Sequence, residues 1–240
     1  KVDFRLNQKF WQIDHKKKLI SLKNGEEISY RHFINCAGLR ADEVARKFGL
    51  ANDFTLIPFK GIYWEIKNKL NFDLNTNLYP VPDLNVPFLG VHFTPTADLK
   101  PKINVGPTAT LAFGRENYSN FEKLELFSSA INLFLLTKQY LSNKEGFRKY
   151  VHEQSLLFLK PIMMKSAKKL IPSINSEDLK ISTKVGIRSQ LFNKNTEKLE
   201  NDFLTIKGQS STHVLNAISP AFTASFALAD LIIDNNKDNF

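Results

Sequence analysis

At 240 residues, 42% of them hydrophobic, the chain can bury one large core or two modest ones, so wholesale disorder is excluded. A net charge of +9, from 33 basic against 24 acidic residues, favours anionic partners: a carboxylate substrate, a phosphate-bearing cofactor, acidic lipid or nucleic acid. One cysteine, Cys36, rules out an internal disulfide framework or a multi-cysteine zinc site; the five histidines are dispersed, which argues against metal catalysis.

In chain order, residues 2–13 are β-rich, and residues 19–22 and 28–30 flank Lys23-Asn24-Gly25-Glu26, where Asn-Gly predicts a tight hairpin turn. Phe33-Ile34-Asn35-Cys36-Ala37-Gly38 reads as a short strand running into a glycine, followed by a helix over 41–48 that Gly49 stops. Residues 56–67, 78–81, 88–95 and 103–106 read as strands of a mostly antiparallel sheet. Over 121–141, Leu124, Phe127, Ala130, Ile131, Phe134 and Leu135 recur at helical spacing, which predicts an amphipathic helix with that stripe in the core. Helical segments follow over 145–158 and 163–170, broken by Pro161 and Pro172. Strands are expected over 185–192, 201–206 and 213–215, and a closing helix over 220–233. That last stretch carries Thr223, Ser225 and Asp230, so it reads as a buried helix and not as a membrane span. Lys1 with no signal-like segment after it is read as the start of a fragment.

Several segments resemble, in order, the FAD-dependent L-2-hydroxyglutarate dehydrogenase or oxidase family of D-amino-acid-oxidase-like flavoproteins. They are Phe33 to Asp42, Ile57-Pro58-Phe59-Lys60-Gly61-Ile62-Tyr63, Leu78-Tyr79-Pro80-Val81-Pro82-Asp83 with Pro87 to Thr94, Gly186-Ile187-Arg188-Ser189-Gln190, and His213 to Ala221. The chain departs from the family at Leu99-Lys100-Pro101-Lys102, where a glycine turn is usual, and at Thr108, where asparagine is usual. No Gly-x-Gly-x-x-Gly follows an opening strand. That turn lets backbone approach the FAD pyrophosphate at a helix start, so this chain, resembling the C-terminal part of the family, is expected to lack tight FAD binding and activity alone. The resemblance implies an α/β plus α+β architecture: a partial FAD-binding, Rossmann-like domain from 1–52 and 185–240, and an antiparallel-sheet substrate domain carrying helices from 53–184.

The implied reaction, L-2-hydroxyglutarate to 2-oxoglutarate, removes a hydroxyl proton and passes the C2 hydrogen to flavin as hydride. A base and cationic anchors are therefore required. His92 is the candidate base, with a hydrogen-bonded sheet histidine as the competing reading; His213 is the second choice. Arg188 and Lys60 are the candidate carboxylate anchors, and Tyr63 and Tyr79 are candidate phenolic donors, against surface ion-pair and core readings. The resemblance places Ala37, Gly38, Leu39, Gly186, Ile187, Ser219, Pro220 and Ala221 beside FAD, with Ser219 and Pro220 opening the last helix. It also suggests a respiratory electron acceptor or oxygen, and a cytoplasmic site with peripheral contact on the inner face of a membrane. The alternatives are a noncatalytic domain that pairs with a separate FAD-binding piece, and a related flavoenzyme acting on an amino acid, an amine or glycerol 3-phosphate. No nucleic-acid motif accompanies the positive charge.

Overall fold

The structure, a computed structural model, describes residues 2–8, 10–67, 73–81, 90–98, 102–119, 121–218 and 220–237. The motif residues 82–89, the departure at 99–101 and Ser219 lie outside that set. The fold is mixed α/β and divides into two compact units, Lys1–Leu56 with Asp202–Phe240, and Ile57–Asn201.

The first unit opens with strands β1 (Phe10–Asp14), β2 (Leu19–Leu22) and β3 (Glu27–Ser29), paired antiparallel in that order. The β2–β3 connection is a three-residue loop. Gly25 N–H donates to Leu22 O at 3.0 Å, Leu22 N–H to Glu26 O at 2.8 Å, and Gly25 alone takes a positive φ, +87°. This is the turn-plus-bulge solution, which needs one left-handed residue where a two-residue primed turn needs two. Next come β4 (Phe33–Asn35), a 3-10 turn over Gly38–Arg40, and helix α1 (Ala41–Lys47). In α1, Ala41, Val44 and Ala45 bury one stripe. Asp42 and Glu43 in its first turn and Arg46 and Lys47 in its last complement the helix dipole.

The second unit is organised by β5 (Phe54–Ile66), whose long run carries two different inner faces. Ile57 and Phe59 join a core with Phe147, Tyr150, Phe192 and Leu199, while Trp64 and Ile66 join another with Phe93, Val105, Met163 and Ile174. Burial of each such apolar side chain contributes ~1.5–3 kcal/mol. Strands β6 (His92–Pro95), β7 (Ile103–Gly106) and β8 (Thr110–Leu111) follow, with only Leu78, through an isolated bridge to Phe93, representing the strand expected over 78–81.

Helix α2 (Leu126–Ser142) corrects the expected packing. Its expected core stripe is largely outward: Leu124, just ahead of the helix, Phe127, Ile131 and Phe134 are exposed, and of the stripe only Leu135 packs on the core. Apolar residues occur on most of this helix's circumference, so period alone does not choose the inner face; Ser129, Asn132 and Gln139 take it together with Leu135, Leu136 and Tyr140. Helices α3 (Phe147–Ser155) and α4 (Lys160–Ala167) come next, and Pro161 sits in the first turn of α4 instead of interrupting a helix. Proline is tolerated there because its missing N–H has no intrahelical partner anyway. Strand β9 (Leu179–Asn193) and the short β10 (Lys198–Leu199) complete a sheet in the order β10-β9-β5-β7-β6, with β8 on β5. The boundary of the second unit therefore falls after Asn201, beyond the expected 184, because β9 is an inner strand of this sheet.

The chain returns to the first unit with β11 (Leu204–Gly208), β12 (Ser211–Asn216) and helix α5 (Ser225–Asp234). β12 pairs antiparallel with β11 and parallel with β4, Phe33 opposite Ser211 and Asn35 opposite His213. The closing helix begins five residues later than expected, so Pro220 and Ala221 do not open it. Residues 220–224 form turns in which Pro220 O accepts from Thr223 Oγ1 and from Ala224 N–H, each at 3.0 Å.

Candidate active site

Three strands of the second unit set the site by register. Trp64, Val105 and Phe93 lie opposite one another across β5, β7 and β6, and all three face the core. Alternation turns the next row the other way: Tyr63, Gly106 and His92, extended by Tyr79 because Leu78 pairs with Phe93. Gly106 leaves a gap in the middle of that row, where a Cβ would approach the Tyr63 ring to 3.4 Å.

The Tyr79 and His92 ring centroids are 4.5 Å apart. His92 is buried, and its Nδ1 lies 2.9 Å from the Gly90 carbonyl oxygen. Because a carbonyl only accepts, Nδ1 carries the proton, which leaves the Nε2 lone pair for other use. Burial pushes the His92 pKa down, helped by the positive charges of Arg188 and Lys184, while the Gly90 hydrogen bond opposes the shift. The Tyr63 phenol is pushed up by burial and drawn partly back by Arg188, so it stays protonated and able to donate.

A cavity of about 230 Å³ opens beside this row, lined by Phe59, Gly61, Tyr63, Pro107, Gln154 and Arg188 among others. Phe59, Gly61 and Tyr63 come from one face of β5. Gly61 allows the 107–108 loop to close over the strand, since a Cβ there would meet Pro107 Cβ at 2.9 Å. Arg188 on β9 lines the cavity and acts electrostatically on Tyr63, His92 and Tyr150, so it is the electrostatic centre of the group. His92 does not line the cavity itself; it lies in the same row as Tyr63, across Gly106 of β7.

Of the candidates from the sequence, the structure thus brings together Tyr63, Tyr79, His92 and Arg188, with Gly186 and Ile187 on the cavity wall. Lys60 goes elsewhere. It follows Phe59 on β5 and so turns to the other face, where Nζ donates to Asn117 Oδ1 at 2.9 Å and to Ser119 O at 3.3 Å. His213 is a core residue of the first unit, 0% exposed, with Nδ1 3.0 Å from Asn35 Nδ2 and Nε2 2.9 Å from Ser211 Oγ. Sequence reasoning missed Lys184, Gln154 and Tyr150. The two-residue spacing of Lys184, Gly186 and Arg188 was the available signal for the first; the other two lie on α3, whose position no local pattern reveals.

In the first unit, the parallel pairing of β4 and β12 puts both carboxyl ends at one sheet edge, where residues 36–39 and, after β12, 217–218 and 220–221 follow. Dinucleotides bind outside the carboxyl ends of parallel strands. Cys36, Ala37 and Gly38 are exposed there, Gly38 has φ +54°, and a Cβ built on it meets nothing within 4 Å. Open backbone at this edge fits a cofactor that approaches closely. Among the described residues, no group of three or more His, Cys, Asp or Glu is placed to hold a metal ion, and no helix is long and apolar enough to cross a membrane.

A strand-turn-helix edge with an antiparallel-sheet cavity is the arrangement of a flavin-dependent oxidoreductase. Comparison agrees: the FAD dependent oxidoreductase family profile matches residues 1–235, and the chain belongs to that family. Human mitochondrial L-2-hydroxyglutarate dehydrogenase is 34% identical over 237 residues, covering 95% of this chain and 50% of that protein. L-2-hydroxyglutarate dehydrogenase of Indibacter alkaliphilus is 37% identical over 206 residues, 84% of this chain and 49% of that one. The L-alpha-glycerophosphate oxidase of Mycoplasma pneumoniae, solved in a dithionite-reduced form with FAD bound, shares the fold at TM-score 0.56 and 19% identity, covering 92% of this chain and 48% of that one. The chain spans about half the length of the curated relatives it matches.

Proposed function

We propose that this chain forms the substrate side, and part of the flavin edge, of an enzyme that oxidises L-2-hydroxyglutarate to 2-oxoglutarate. The observation that carries the reading is that Arg188 and Tyr63 share one cavity wall while His92, off that wall in the same row of the sheet as Tyr63, lies within the electrostatic reach of Arg188. Bound FAD supplies a two-electron acceptor for the C2 hydrogen. Arg188 pairs its guanidinium with the substrate carboxylate next to C2, two parallel hydrogen bonds fixing the orientation of that carbon. Tyr63 donates its phenolic hydrogen to the substrate, and His92 Nε2 takes the hydroxyl proton as the C2 hydrogen leaves. The lowered His92 pKa keeps that nitrogen unprotonated at neutral pH. Ala37, Gly38 and Leu39, with Pro220 and Ala221 at the same sheet edge, would hold the cofactor by backbone approach. A respiratory carrier or oxygen removes the electrons.

The names of the relatives supply the substrate, since both dehydrogenases are named for L-2-hydroxyglutarate. The test is the visible spectrum of the purified chain with added FAD, before and after anaerobic L-2-hydroxyglutarate. Bleaching of a bound-flavin band is expected once a Gly-x-Gly-x-x-Gly segment is supplied with the chain, while the chain alone is expected to leave the flavin free. A bound flavin that stays oxidised rejects the substrate, and a flavin that stays free rejects cofactor binding by this chain.

A further inference from the structure

Strand β9 carries Lys184, Gly186 and Arg188 at two-residue spacing, which sets all three on one face. Gly186, between the two cations, lines the cavity, and a Cβ on it meets nothing within 4 Å. The middle of this stretch is therefore open space flanked by positive charge. At one end Arg188 lines the cavity; at the other, Lys184 Nζ lies 4.9 Å from the centroid of the Tyr63 ring, which lines the same cavity.

Lys184 also differs from the lysines around it in its partners. Lys180, four residues earlier on β9, pairs with Glu65 at 3.1 Å, and Lys138 and Lys144 pair with Glu197 at 2.7 and 3.1 Å. Among the described residues, no carboxylate lies within 4.0 Å of Lys184 Nζ. Its ammonium lies over the face of Tyr63, a cation–π arrangement that holds a positive charge without neutralising it. An ammonium held against a cavity-lining ring, with no acidic partner among the described residues and with the side-chain-free Gly186 between it and a guanidinium on the same strand face, is a receptor for the far end of a doubly charged anion.

We propose that Lys184 determines specificity for dicarboxylates by pairing with the second carboxylate of the substrate, while Arg188 takes the carboxylate beside the reacting carbon. This rests on the proposed 2-hydroxy acid function and adds the residue that distinguishes a dicarboxylic from a monocarboxylic substrate. The division of labour follows from the two side chains. A guanidinium fork imposes one orientation, which the reacting end needs; an ammonium on a flexible stem is a point charge, sufficient for an end that only has to be recognised.

The experiment is calorimetric titration of the full chain, with FAD added, using glutarate and pentanoate, which match in chain length and differ by one carboxylate. Neither carries a hydroxyl to oxidise, so binding is read without turnover. Glutarate is expected to bind at least about tenfold more tightly, the worth of one charge-assisted pair. Lys184→Gln is expected to remove that preference and leave pentanoate affinity within about twofold, and Lys184→Arg to keep most of the preference. A glutarate preference that survives in Lys184→Gln, or a parallel loss for both acids, overturns the assignment. Equal binding of both acids by the unchanged protein overturns it too, while the Arg188 carboxylate site stands. Binding of neither acid overturns the functional reading along with it.

Discussion

Replacing His213 by glutamine should flatten the acid limb of this protein's stability curve. In the first unit the His213 ring is fully buried, edge-on to Phe48 at a centroid distance of 4.8 Å. Asn35 Nδ2 donates both to Ala41 O at 2.8 Å and to His213 Nδ1 at 3.0 Å, so Nδ1 must accept and the ring must be neutral. Burial, with nearby His32 adding to it, pushes its pKa down from 6.5 to about 4. A proton therefore binds the unfolded chain more readily, and stability is fully present above the unfolded value and lost as pH falls toward the folded one. At about 1.4 kcal/mol per pH unit, that amounts to roughly 2 kcal/mol between about pH 7 and about pH 4.5. Against a typical stability of ~5–15 kcal/mol the loss is easily measured. The assay is urea unfolding followed by circular dichroism at both pH values, on the unchanged protein and on His213→Gln, which keeps hydrogen-bonding capacity but cannot titrate. The variant starts less stable because the ring leaves space behind, so the informative quantity is the difference between the two pH values. If His213→Gln loses as much on acidification as the unchanged protein, the buried neutral ring is not the cause.

Arg188→Lys keeps the charge but loses the planar fork, so kcat/KM for L-2-hydroxyglutarate in FAD-loaded enzyme should fall about tenfold or more, with little change in melting temperature. His92→Gln should lower kcat by ~10²–10⁴ and abolish an acid limb that in the unchanged enzyme lies below the ordinary histidine range, since burial holds the His92 pKa down; a variant that keeps the limb removes His92 as the base. Gly186→Val should weaken dicarboxylate binding by filling the cavity while leaving thermal stability intact, because its Cβ points into open space and valine suits a strand. Asp42→Ala should destabilise the first unit by about 3 kcal/mol in chemical unfolding, because the 0% exposed carboxylate accepts from Leu56 N–H at 3.1 Å and Arg46 Nη2 at 3.0 Å.

Local features were legible in the sequence wherever a single residue's conformational preference decides them. Gly25 closes the β2–β3 hairpin, and the Phe33 to Gly38 strand turns into α1 where expected. The mixed α/β class and the antiparallel sheet were readable from alternation and turn residues. Helix α2 was legible as a helix but not in its orientation, because its apolar residues surround it and the choice of inner face depends on what the sheet offers. The late start of α5 was also hidden: Pro220 is a good first helical residue, yet the described residues between it and Ser225 form turns.

By itself, the sequence determined the family, the order of the elements and the residue types able to handle a carboxylate and a proton. Which of those residues meet was decided only by strand register. The single bridge from Leu78 to Phe93 sets Tyr79 against His92, and the pairing of β6 with β7 and β7 with β5 adds Tyr63 to the same row. The same alternation turns Lys60 away from the cavity while Tyr63 lines it. Lys184 became visible only when β9 folded beside β5 and put its ammonium over the Tyr63 ring. The physical reason is that side-chain chemistry is a local property, whereas the face a strand residue presents, and the partner it meets there, are set by hydrogen bonds to strands far away in the chain.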